Sequence, residues 1–133
     1  MEYISEKEFR KQPMEVQQVI LEWWKPSKGD LFENDLIGGF GVITGEKKLK
    51  NGLIPLLTEG QLRKFIEDKT GGKVILTYNL LNDILIKVVK GNDIHNNALE
   101  TICRYPIDRK SNVLNAYWKV ACQIASKEVI DNE

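Results

Sequence analysis

Few side chains in this sequence are suited to catalysis or to metal binding. The 133 residues contain one histidine, His95, and two cysteines, Cys103 and Cys122. A zinc site needs four closely placed ligands, and the two cysteines have no CxxC spacing. His95 lies among asparagines, and no nucleophile and orienting acid can be placed beside it. We therefore expect a solvated histidine and two reduced thiols, without metal, cofactor or enzymatic activity.

A glycine-rich run at positions 38–45 is the second chemical candidate. Glycine lets backbone N–H groups approach an anion closely, as in phosphate-binding loops. The dinucleotide fingerprint would require a glycine where Thr44 stands, and no lysine followed by serine or threonine completes a Walker-type loop. The run therefore predicts a structural bulge or a mobile loop rather than a phosphate site.

A cluster of three lysines precedes a turn signal. These lysines are Lys47, Lys48 and Lys50. Asn51-Gly52 follows, the pair that most readily forms a type I′ hairpin turn, so the lysines are expected at an exposed hairpin tip. Together with Phe40 they form the predicted partner-binding surface.

Trp23, Trp24 and Lys25 offer an alternative surface for stacking single-stranded nucleic acid. Both tryptophans, however, continue the apolar stripe of a predicted helix. We therefore expect them in the core, and nucleic acid is not the favoured partner.

The overall charge and hydropathy argue against two broad classes of protein. Nineteen basic residues balance nineteen acidic ones, so the chain lacks the net positive charge of many nucleic-acid binders. No apolar run approaches the ~20 residues needed to span a bilayer, and the first residues lack the order of a signal peptide. The sequence predicts a cytoplasmic protein without a membrane segment.

Capping residues and apolar periodicity predict four helices. They run from Ser5 through Phe9, over Met14–Trp24, from a Thr58 cap to Gly71-Gly72, and from a Ser111 or Asn112 cap towards the end of the chain. The third helix should bury Leu62, Phe65 and Ile66. In the last helix, we expect one of Tyr117 and Trp118 to pack inward and the other to stay partly exposed.

Alternating apolar residues and turn signals predict the strands. Short strands are expected at Leu31-Phe32, Phe40–Thr44 and Leu53–Leu57. The Asn51-Gly52 turn signal suggests that Phe40–Leu49 pairs with Leu53–Leu57, and Pro55 makes the latter an edge strand or an extended segment. Lys73–Asn79 and Ile84–Lys90 should pair antiparallel, Gly91–Asn97 should form a polar loop, and Leu99–Tyr105 should be a strand or a short helix. The pattern predicts an α+β fold with one small antiparallel sheet covered by helices, in a single domain spanning residues 1–133.

Two segments of the chain resemble small phage and prophage proteins of Gram-positive bacteria. They are IPLLTEGQLRKFIEDKTG at positions 54–71 and LNAYWKVA at positions 114–121, about a fifth of the chain. The resemblance implies an accessory phage gene but carries over no catalytic residue. Gly38–Lys50 and Asp93–Lys110 lie outside it.

Three functions are compatible with this resemblance. The favoured one is an inhibitor that binds a bacterial host protein, such as a component of antiviral defence. The alternatives are a protein that sequesters a nucleotide signal and a nucleic-acid-binding accessory factor. The neutral charge and the incomplete phosphate motifs favour the first.

Overall fold

The computed structural model describes residues 2–36, 38–45, 52–78, 83–93, 98–107 and 112–132. The helices are α1 (Glu6–Arg10), α2 (Met14–Trp23), α3 (Glu59–Thr70) and α4 (Val113–Asp131). The strands are β1 (Leu31–Asn34), β2 (Phe40–Val42), β3 (Leu53–Pro55), β4 (Lys73–Tyr78), β5 (Ile84–Asp93) and β6 (Ala98–Ile107). The predicted α+β fold class is confirmed, but the described strands form two three-stranded antiparallel sheets rather than one.

The chain divides into two compact units. The first unit comprises Met1–Thr58 and Ala125–Glu133, and the second comprises Glu59–Ile124. The first contains α1, α2 and the sheet β2-β1-β3. The second contains α3, the sheet β4-β5-β6 and the larger part of α4.

Local capping accounts for the two N-terminal helices. The Ser5 hydroxyl accepts a hydrogen bond from the Glu8 N–H (3.2 Å), which satisfies a backbone donor at the start of α1. Pro13 lies immediately before α2, where its fixed φ suits a helix start. Trp24 follows α2 and is buried, with its Nε1 donating to Asp30 Oδ2 (3.0 Å). The prediction that Trp24 belongs to the core is confirmed, and Trp23 packs partly buried against the same cluster.

The first sheet corrects part of one predicted pairing. β2 and β3 both pair with β1, on its opposite sides, so Phe40–Val42 does not pair with Leu53–Pro55. The rest of the predicted hairpin between Phe40–Leu49 and Leu53–Leu57 involves residues 46–51, which lie outside the described residues. Asn34 and the residue after it direct their backbone groups to different neighbours: the Asn34 N–H donates to Gly39 O, and the Asp35 N–H donates to Gly52 O. Among the described strands, β3 is at an edge of its sheet, where Pro55 is accommodated, as predicted.

Gly38 and Gly39 close the turn between β1 and β2. Both have positive φ (72° and 98°), a backbone conformation that disfavours other residues. The Gly38 N–H donates to Asn34 O (2.8 Å), and the Gly39 N–H donates to Glu33 Oε1 (3.0 Å). These N–H groups are satisfied by acceptors of the chain itself. The glycine pair is a hairpin turn, neither a bulge nor an anion cradle.

The central helix of the second unit matches its prediction closely. Leu62, Phe65 and Ile66 are almost fully buried on one side of α3. Gly71 follows the helix with φ 76°, and its N–H donates to Glu67 O (2.9 Å). This left-handed residue ends α3 where the sequence predicted.

The second sheet is an antiparallel meander in the order β4-β5-β6. The predicted pairing of β4 with β5 is confirmed, with Val74 opposite Val88. β5 extends to Asp93, so the polar loop predicted over Gly91–Asn97 is wrong for its first three residues, and residues 94–97 lie outside the described residues. Pro106 lies within β6 rather than after it, which the edge position of that strand permits.

Helix α4 begins as predicted but buries both of its large aromatic side chains. Asn112 caps it, since its Oδ1 accepts from the Asn115 N–H (2.8 Å). Tyr117 and Trp118 are both buried, at 2% and 5% exposure, so the expectation that one would stay partly exposed is wrong. The small buried residues Ala116, Val120 and Ala121 widen the buried surface of the helix, which brings both aromatic positions into the core.

Candidate functional site

A surface groove of about 400 Å³ lies in the first unit. It is lined by residues of the N-terminal segment, α1, β1, β2 and the residue after β3: Tyr3, Ser5, Glu6, Lys7, Glu33, Phe40 and Leu56. Its volume is at the lower end of that of small-molecule pockets, and one side chain of a partner would occupy a comparable space. We call it the Phe40 groove.

Two aromatic rings form the apolar part of the Phe40 groove. Tyr3 and Phe40 stack with their ring centroids 6.0 Å apart and an interplanar angle of 29°. Phe40 is 56% exposed, although it is a large apolar side chain in a strand. Exposed aromatic side chains beside a cavity are typical of protein interfaces.

The register of the first sheet sets the direction of Phe40. Phe40 pairs with Glu33, and its neighbour Gly41 pairs with Phe32. Because side chains alternate across a strand, Phe40 and Val42 share one face of the sheet, and Gly41 lies on the other. A Cβ on Gly41 would lie 2.4 Å from Phe32 Cζ, so the absence of a side chain there leaves room for the Phe32 ring beside β2.

The outer edge of β2 carries backbone groups that point away from β1. Gly39 O accepts from the Asn34 N–H, and the Ile43 N–H donates to Asp30 O. In an antiparallel ladder, alternate residues bond to the same neighbour, so the backbone groups of Phe40 and Val42 face outward. Among the described strands, β2 is at the edge of its sheet. Such an edge can accept an extended polypeptide.

The N-terminal segment places Tyr3 against Phe40. The Ile4 N–H donates to Leu57 O (2.8 Å), and the Ile4 side chain is buried. Ile4 and Phe9 occupy the two positions of a hydrophobic staple around the Ser5 cap, and Phe9 is also buried. Because Ile4 is held in this way, the adjacent Tyr3 lies at the surface in a defined position.

Carboxylates outnumber cations in the groove lining. Glu6 and Glu33 are the acidic members and Lys7 is the basic one. Glu6 pairs with Arg10 Nε (3.0 Å), and Arg10 also bonds Asp35, an interaction that raises the pKa of its guanidinium. Glu33 accepts from the turn at Gly39. The charged side chains therefore brace the groove and make it unfavourable for a phosphate.

The predicted site residues have different outcomes. Phe40 lines the groove, whereas Lys47, Lys48 and Lys50 lie outside the described residues, as does His95. Tyr3 was missed by the sequence reasoning, although the Ile4 and Phe9 staple was a signal that could have located it. Cys103 and Cys122 are free thiols. Over the described ranges, no group of three His, Cys, Asp or Glu side chains could hold a metal ion.

Comparison with protein-family models, curated proteins and solved structures finds no match to this chain. In the part of the chain that the structure describes, no helix combines the length and hydropathy needed to cross a bilayer. The site is therefore interpreted from its own geometry.

Proposed function

We propose that this chain is a phage accessory protein that binds and inhibits a bacterial host protein, and that it has no enzymatic activity. The observation that carries the proposal is the stacked pair of Tyr3 and Phe40 at the surface groove. Keeping an aromatic ring 56% exposed gives up the free energy that its burial would contribute, and a partner that covers the ring recovers it. The resemblance of two segments to phage proteins supports the cellular context.

The groove favours an extended segment of the partner. An apolar side chain fits against the two rings, while the outward backbone groups of Phe40 and Val42 supply donors and acceptors for a polypeptide main chain. The side chains give specificity and the main chain gives affinity. A host protein with an exposed strand or extended loop meets both requirements.

The two alternative functions have less support. A nucleotide signal or a nucleic acid would bring phosphates beside Glu6 and Glu33, and Lys7 is the single cation among the described residues that line the groove. Like charges brought together in a partly desolvated groove are unfavourable. A component of antiviral defence remains our preferred class of partner.

Capture from bacterial lysate, quantified by mass spectrometry, tests the proposal. We expect Phe40→Ala to lose the captured protein. Tyr78→Ala, which removes an equally exposed aromatic ring (57%) from the second unit, should retain it. Capture should survive excess non-specific DNA. Equal loss in both variants, or displacement by DNA, would contradict a protein-binding Phe40 groove.

The three lysines make a separate prediction about association. Replacing Lys47, Lys48 and Lys50 together with glutamate should slow association with an acidic host protein while leaving the fold intact, because rim charges act mainly on the rate of encounter. Stopped-flow or surface-plasmon measurements at two salt concentrations would detect the change. An unchanged association rate would remove the lysines from the site.

A further inference from the structure

The sheet of the second unit has one buried face and one partly exposed face. Val74, Ile86 and Val88 alternate along β4 and β5 on the buried face. Side-chain alternation places Lys73 and Lys87 on the opposite face. We call this opposite face the outer face of the second sheet.

Three cations cross the outer face, one from each strand. Lys87 of β5 lies directly opposite Arg104 of β6 in the register, which places their Cβ atoms about 5 Å apart. Lys73 of β4 pairs with Val89 and is thus a diagonal neighbour of Lys87, about 7–8 Å away. Like charges directly opposite in a sheet are unfavourable. We call these three residues the cation triad.

The described residues supply no counter-ion to the cation triad. The ion pairs among the described residues involve other side chains. None of the three cations forms an ion pair, side-chain hydrogen bond or ring contact within the described part of the chain. Along β5, the closest carboxylate before Lys87 in the sequence is Asp83, about 13 Å away at the usual strand rise. Glu100 pairs with Lys90. Because Lys90 is three residues after Lys87, side-chain alternation places this pair on the opposite face of the sheet. The repulsion within the triad is therefore uncompensated by these groups.

Apolar side chains accompany the cations. Ile75 lies opposite Lys87 in the register and is 37% exposed, and Leu85 lies two residues before Lys87 on the same face and is half-buried. Tyr78 and Tyr105 alternate onto the other face, so they cannot stack bases here. The outer face thus combines positive charge and aliphatic surface without a stacking platform.

We propose that the outer face of the second sheet is a second docking surface, which binds an acidic polypeptide segment carrying aliphatic side chains. Carboxylates of that segment neutralise the cation triad, and its aliphatic side chains cover Ile75 and Leu85. A nucleic acid would satisfy the cations but would offer little to these two aliphatic side chains. This surface is independent of the Phe40 groove.

Binding of synthetic peptides to the full chain tests the proposal. The probe is an eight-residue peptide of alternating glutamate and leucine, and the comparisons are its lysine–leucine counterpart and a single-stranded oligothymidylate. We expect the glutamate–leucine peptide to bind most tightly and to weaken at least tenfold in the Lys87→Thr, Arg104→Thr double variant. The charge-matched double variant Lys25→Thr, Lys28→Thr and the variant Phe40→Ala should bind it like the wild type.

Two further measurements keep the test decisive. Removal of the opposed charges should leave the melting temperature of the Lys87→Thr, Arg104→Thr variant equal to or above that of the wild type at low salt. If that variant does not fold, amide chemical shifts of the wild type titrated with the peptide decide, and they should change around Ile75 and Leu85. Tighter binding of oligothymidylate, equal binding of the two peptides, equal weakening in both double variants, or shifts confined to the first unit would overturn the proposal.

Discussion

Gly72 lies where a side chain has no room. A Cβ there would be 2.6 Å from Val88 Cγ1 and 2.7 Å from the Val89 carbonyl oxygen, and Val88 is fully buried. We expect Gly72→Ala to lower the free energy of unfolding by about 1–3 kcal/mol, the usual cost of overpacking. Urea denaturation would measure this change.

Gly60 belongs to the same unit as Gly72 and provides the matched control. It lies in α3, and a Cβ there would meet nothing within 4 Å. Gly60→Ala should therefore raise the free energy of unfolding by about 0.4–1 kcal/mol, because alanine restricts the unfolded chain. A destabilised Gly60→Ala together with a neutral Gly72→Ala would contradict the packing described for the second unit.

Cys122 makes stability dependent on alkaline pH. Burial raises the pKa of its thiol from the ordinary 9.0 to about 12. Between these values the unfolded chain loses the proton and the folded chain keeps it, so stability should fall as pH rises through this window. Burial, with a hydrogen bond that its phenol O–H donates to Cys103, also raises the pKa of Tyr105 to about 12, which adds to the fall above pH 10.

Comparison of the wild type with Cys122→Ala isolates the contribution of Cys122 to the pH dependence of stability. Cys122→Ala should shift the urea midpoint by a constant amount below pH 8 and should decline less steeply than the wild type from pH 9 upward. Parallel pH profiles for the two proteins would show that the thiol ionises equally in the folded and unfolded states.

At the scale of elements, the packing of α4 depends on its buried aromatic side chains. Trp118 is 5% exposed, so Trp118→Ala should destabilise the protein by about 3–5 kcal/mol, the range for a truncated core aromatic. Ile130 lies on the same helix but is 66% exposed, and Ile130→Ala should change stability by less than about 0.5 kcal/mol. Calorimetric melting of the two variants measures both effects. Equal melting temperatures would place Trp118 at the surface.

Local signals predicted the helices and the second sheet, but not the pairing of the first sheet. The Ser5 and Asn112 caps and the Gly71 stop determine helix ends through neighbouring residues. Asn51-Gly52 is equally local and suggested a hairpin, yet β1 lies between β2 and β3. Pairing with β1 joins residues distant in sequence. The residues of a turn do not show whether such distant pairing is more stable than a local hairpin.

At the scale of the whole molecule, half of the candidate site was predictable. Phe40 stood out as an apolar residue in a glycine-rich segment, but its partner Tyr3 comes from the other end of the first unit. The sheet count was wrong because alternation identifies strands without assigning them to sheets. The cation triad was also invisible in a neutral composition, since Lys73, Lys87 and Arg104 become neighbours only through the register.

We propose that Phe40 anchors a host protein. The most direct measurement is calorimetric titration of the purified captured protein into the wild type, Phe40→Ala and Tyr78→Ala. Loss of a hot-spot aromatic costs at least about 2 kcal/mol, so Phe40→Ala should weaken the affinity about 30-fold or more, while Tyr78→Ala should match the wild type. An unchanged Kd for a folded Phe40→Ala would contradict the account.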